Sequence, residues 1–379
     1  MASSLIARFY MLDEGFFTFN LKFLFLVGLW PDDDLTENQR FLYKIYENTL
    51  HVLTIILFII TGIGTYQVKN DLTLFLTNLD KILVSYNFFF KIVLFVLNRN
   101  KLRKLIDEIE LSNDIITEKR KELMVEAVVV LTGLSVLVVS AFSALAIFEG
   151  EMSIEAWMPF DPLKDRMKCI LAAQLLAVVF LPGLLRAFAM EGIVCSLIMY
   201  LCDQLIELQN TIKKLKYTKE TDFETRKKFK AAIMKHIRLM KYSKTMETLF
   251  REYFLVQHLA ITVELCLNAI MLTVVNIKLL VSFMGYLGLA LLNAYIYSYL
   301  GNELIIQSQG IAMAGYESPW TSWPVDMQKD LLILIRAAQR PLALSAGGMD
   351  LLSIQTFKPT LGTASLFATF IYSIQVSSL

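Results

Sequence analysis

Apolar runs long enough to cross a bilayer, separated by blocks dense in lysine and arginine, constrain this chain more than any other feature. Runs at 45–66, 72–97, 123–148, 169–201, 253–275, 279–300 and 351–378 each reach the ~20 residues that span a hydrocarbon core of about 30 Å. Every backbone N–H and C=O in lipid needs a partner within the protein, which leaves helices or closed barrels. Barrel strands read as short alternating segments, and these runs are continuous. Charged residues are 19% of the chain, below the roughly 25% of soluble domains, and mean hydropathy is +0.54. The expected fold class is all-α, a seven-transmembrane helical membrane protein, with residues 1–379 forming a single domain.

Charge orients the spans. The loop after the second run carries Arg99, Lys101, Arg103, Lys104, Lys119, Arg120 and Lys121, and the loop after the fourth holds the basic block from Lys219 to Arg251. The positive-inside rule makes both cytoplasmic, so the N-terminus is expected inside and the C-terminus outside. Phe16 to Trp30 is too short to span and reads as interfacial. The segments 98–122 and 218–251 keep helical apolar spacing among their charges, the pattern of helices continuing into solvent. A helix at 326–340 should complete a cytoplasmic anchor region, and Pro341 to Gly348 should break the chain before the last span. Charge inside the spans reads as sparse: Asp80 and Lys81 lie early in the second, and Lys91 is placed to snorkel toward its far end.

Catalysis finds no support. None of the metalloprotease, nucleophile-elbow or phosphate-loop motifs occurs, and the three histidines, His51, His236 and His258, are scattered. The four cysteines lack metal or redox spacing. The chain is therefore expected to be no enzyme, with no catalytic residue, metal or cofactor. A net charge of +1 and helical spacing within the basic block argue against nucleic acid as a partner. Seven spans invite comparison with G-protein-coupled receptors, but there is no Asp/Glu-Arg-Tyr after the third span and no Asn-Pro-x-x-Tyr in the seventh. A secondary transporter, the less favoured alternative, should show two similar halves.

A run of motifs is more specific. Tyr299-Leu-Gly-Asn-Glu-Leu-Ile-Ile-Gln-Ser308, Ala314-Gly-Tyr316, Trp320, Ala338-Gln-Arg-Pro-Leu-Ala-Leu-Ser-Ala-Gly347 and Leu352-Ser-Ile-Gln-Thr-Phe357 resemble, in this order and spacing, the insect odorant receptor family. The likeness is strongest over the last ~80 residues, and the chain length resembles the ligand-tuned subunits rather than the longer co-receptor. The terminal helix departs from the family pattern Leu-x-Thr-Ser-Tyr-Ser-x-Phe-Thr: Thr363 and Thr369 match in Leu361 to Thr369, whereas Ala364 to Leu366 do not. A register anchored instead on Gln375 shifts the helix by two residues. Gustatory receptors, a sister class, are the alternative within the same superfamily.

The resemblance implies a subunit of a heterotetrameric, odorant-gated, poorly selective cation channel in the plasma membrane of sensory neurons. Its partners would be the co-receptor, a volatile ligand and membrane lipid, with no G protein required. The last helices would line the pore. Thr363, Leu366, Phe370, Ser373 and Ile374 fall on one face at three- and four-residue spacing, with Thr369 beside it. Hydroxyls there can replace part of an ion's water, and Leu366 or Phe370 can form a dewetting gate. The resemblance also places a ligand pocket between the second, third, fourth and sixth spans, in their extracellular halves. The residues expected to line it are Leu83, Tyr86, Asn87, Ser140, Ser143, Gln174, Val178, Phe283 and Met284, a set suited to a small, mostly apolar volatile.

Overall fold

The computed structural model describes residues 15–112, 114–149, 156–161, 164–274, 277–356, 358 and 362. Eight α-helices are placed among these residues: α1 Thr18–Leu26, α2 Glu37–Gln67, α3 Leu72–Glu110, α4 Glu118–Glu149, α5 Arg166–Lys213, α6 Asp222–Val274, α7 Ile277–Glu317 and α8 Val325–Ala338. Helices α2 to α7 cover the described residues of the first six expected spans. Local chemistry sets several starts: Asp71 accepts the Leu74 N–H at 3.0 Å ahead of α3, and Gln39 accepts the Thr36 N–H at 3.0 Å ahead of α2. These side chains meet donors that a helix's first turn leaves without intrahelical partners.

The organising element is α5. Its stretch from Ala189 to Cys202 is buried almost without interruption, because its neighbours surround it: α1, α2, α3, α4, α6 and α7 all pack on it. A helix apolar on every side must be enclosed by protein or lipid. By contrast, Val52, Ile55, Ile56, Ile59 and Ile63 of α2 form an exposed apolar stripe at the spacing of one helix face. Such a stripe suits lipid. Among the described residues, α2, α5 and the part of α3 from Ile82 are long and apolar enough to cross a membrane.

The long helices outrun the bilayer. At 1.5 Å per residue, the 53 residues of α6 extend roughly 80 Å, more than twice the hydrocarbon core. The charged blocks are thus continuations of spans, as expected, and they pack together through ion pairs. Asp114 accepts from Arg238 at 2.7 and 2.8 Å and from the Tyr200 hydroxyl at 2.6 Å, with Lys235 at 3.5 Å. Burial alone would raise the Asp114 pKa, but the Tyr200 and Ser112 hydroxyls with the charges of Lys235 and Arg238 bring it below the ordinary carboxylate value. Arg226 pairs with both Asp222 and Asp326, tying α6 to α8. Segment 16–30 packs inward as well: Phe17, Leu24 and Leu29 are buried, and Asn20 donates to Ser196 Oγ at 2.7 Å.

Two boundaries differ from expectation. The anchor helix ends at Ala338, not 340, since the residue before Pro341 is driven out of helical geometry. The last span does not begin at 351: Ser345–Ala346 pairs antiparallel with Asp350–Leu351 in a small hairpin, turned by Gly347 and Gly348 at positive φ, and helix resumes only at Ile354. Gly301 of α7 lies against Leu352, the residue that follows the hairpin. A Cβ at position 301 would stand 2.3 Å from the Leu352 carbonyl oxygen, so only glycine allows this approach.

Candidate functional site

Five helices turn one face each toward a common space. From α3 come Val84, Asn87 and Phe88; from α4 Leu131, Ser135 and Val139; from α5 Phe180, Leu184, Phe188 and Glu191; from α6 Gln257, Ile261 and Glu264; from α7 Asn293. In α3 to α6 each set falls three or four residues from its first or previous member, so each is a single stripe, and α7 adds one residue. Pro182, within α5, has no N–H to give the Val178 carbonyl, which loosens α5 beside Phe180 and Leu184.

The space measures about 90 Å³, against the ~10–15 Å³ that one water needs. Its wall is largely aliphatic and aromatic, with Phe88 and Phe180 ring centres 6.1 Å apart. Polar groups are few and paired across helices. Asn87 donates to Gln257 Oε1 at 3.1 Å. Glu191 Oε1 accepts from Lys91 at 2.9 Å and from Asn293 at 2.8 Å. Lys91 is fully buried, with its ammonium 4.7 Å from the Tyr253 ring centre. It therefore does not snorkel; the carboxylate 100 positions away holds it inside.

Of the residues expected to line a pocket, Asn87 does. Leu83 is half-buried on the same helix. The Tyr86 ring packs on Phe58 of α2 at 4.5 Å, which draws it to the α2 side. Ser143 donates to Gln174 at 2.8 Å, joining α4 to α5 away from this space. Ser140 is exposed and bonds its own helix at the Val136 carbonyl. Val178 is 68% exposed, on the outer face of α5. Side chains of Phe283 and Met284, and all of Thr363, Leu366, Thr369, Phe370, Ser373 and Ile374, lie outside the described residues, as do the side chains of Asp80 and Lys81.

Two features escaped the sequence reading. The fifth span contributes a full stripe where only the second, third, fourth and sixth were expected. Charge within the spans is also not sparse: Arg186, Glu191 and Glu264 are buried there along with Lys91. A charged residue in an apolar run is costly unless partnered and marks function by default, so Glu191 and Glu264 were a usable signal.

A family model described as 7tm Odorant receptor matches residues 71–365. The chain belongs to that family. It is a multi-pass membrane protein of the odorant receptor type, as the terminal motifs implied. Similar curated proteins include Odorant receptor 30a of Drosophila melanogaster, 31% identical over 136 residues, which is 36% of each chain. Odorant receptor 10 of Aedes albopictus is 25% identical over 140 residues, 37% of each. The chain thus aligns with little more than a third of the length of these relatives. Its fold is also similar to that of the insect olfactory receptor OR5 from Machilis hrabei in complex with eugenol, with TM-score 0.78 at 17% identity over 94% of this chain and 97% of that one.

Proposed function

We propose that the chain is the odorant-binding subunit of a heteromeric, odorant-gated, poorly selective cation channel in the plasma membrane of sensory neurons. The observation that carries this reading is the mostly apolar cavity between five helices of a bundle of the family's fold. Its size and its few polar groups suit a small volatile. The similar receptor OR5 has been determined in complex with eugenol, which supports a small organic ligand here.

The route from ligand to pore is short. Gln257 borders the ligand cavity and also a smaller space of about 40 Å³ lined by Tyr297, Ala346, Leu352 and Thr356. A ligand that shifts α6 at Gln257 therefore acts on the hairpin from which the terminal helix departs. In this reading Thr363, Leu366, Thr369, Phe370, Ser373 and Ile374 line the pore, the N-terminus is cytoplasmic, and a co-receptor completes the ring. Cells expressing this chain with a co-receptor should show odorant-evoked cation current. A chain that reaches the surface and passes none across a broad odorant panel contradicts the proposal.

A further inference from the structure

The cavity's polar wall is biased toward acceptors. Glu191 is 6% exposed and engages both of its partners, Lys91 and Asn293, through Oε1; Oε2 bonds nothing among the described residues. An ionised carboxylate only accepts hydrogen bonds. Glu264, a second carboxylate on the wall, is 7% exposed. Asn87 gives its amide N–H to Gln257, and its own carbonyl oxygen is buried without a partner. The Ser135 hydroxyl is turned to the Leu131 carbonyl at 2.8 Å. The amides can offer donors; the Glu191 carboxylate, paired with the Lys91 ammonium, accepts.

Resting on the ligand-binding role proposed for this cavity, we infer that it selects small amphiphiles whose head group donates a hydrogen bond. Alcohols, phenols and amines belong to this class, while ethers, esters and ketones of the same shape do not. The head sits on Glu191 Oε2, and the apolar body lies against Phe88, Phe180 and Phe188. An acceptor-only head in that position would desolvate the carboxylate without making a hydrogen bond to it. Hydrogen bonds to charged groups contribute more than neutral ones, so the preference should be large.

The test uses matched pairs, such as 2-phenylethanol and a cresol, each with its methyl ether, applied to cells expressing the full chain with a co-receptor. The donor member of each pair should act at a ten-fold or greater lower concentration. Replacing the ion pair by apolar residues of similar volume, Lys91→Met with Glu191→Leu, should bring each pair to within three-fold while retaining surface expression. Ethers as potent as alcohols in the wild-type chain overturn the inference and leave odorant gating intact. Silence of every pair in a surface-expressed complex overturns the ligand-binding reading as well.

Discussion

Replacing Lys91 alone by methionine should destabilise the folded chain by about 3–5 kcal/mol, the usual consequence of leaving one member of a buried pair without its partner. Lys91 and Glu191 are 2.9 Å apart with side chains 0% and 8% exposed. At an effective dielectric of about 20, unit charges at that distance attract by roughly 6 kcal/mol. Desolvation of both groups offsets much of this, so the pair adds little net stability, while either half alone is costly. Glu191→Leu should therefore be as damaging as Lys91→Met, and the double variant should lie within about 1 kcal/mol of wild type. At roughly 2 °C per kcal/mol for a chain this long, each single substitution lowers the melting midpoint of the detergent-solubilised complex by about 6–10 °C. The double variant should melt close to wild type. A Lys91→Met protein that melts with the wild type, or a double variant as weak as either single, refutes the pairing argument.

Acid should loosen the ion-paired region around Asp114. Asp114 titrates below its unfolded value of 3.8, so its stabilisation is present above that pH and is lost as pH falls through the folded value. Asp114→Asn should lower stability at neutral pH by about 2–3 kcal/mol, less than for a wholly buried pair because Arg238 and Lys235 are partly exposed, and should flatten the acid-induced loss read by melting at pH 3–7. Gly301→Ala places a methyl against the Leu352 carbonyl and should cost about 1–3 kcal/mol, with odorant currents reduced more than surface expression. Substituting Phe370 or Ser373 should change permeation or ion preference in reversal-potential recordings; if both leave it untouched and Gln375 changes it, the helix follows the other register.

The long helices were legible because apolar length and spacing are one-dimensional properties; the seventh expected span lies outside the described residues. The helical extensions were legible for a similar reason, since apolar spacing persists through the charged blocks. The site was only partly so. Lys91 in isolation looks like a snorkelling residue; nothing in the order of residues joins it to Glu191, 100 positions on, or to Tyr253. Val178 and Ser140 share spans with true lining residues, and only the rotation of α4 and α5 in the bundle turns them outward. The hairpin at Ser345 to Leu351 hid inside a glycine break that signals a turn without saying which kind. Gly301 stands in the terminal motifs as one residue of ten, and nothing in the order of residues shows that it meets Leu352.

The central claim is that a small molecule in the cavity between α3, α4, α5, α6 and α7 opens a cation pore. Concentration–response recordings of wild type and Val139→Phe, each with a co-receptor and matched for surface level, test it most directly. Filling the cavity should raise the half-maximal odorant concentration at least ten-fold and leave single-channel conductance unchanged. Identical concentration–response curves for the two chains would contradict the account.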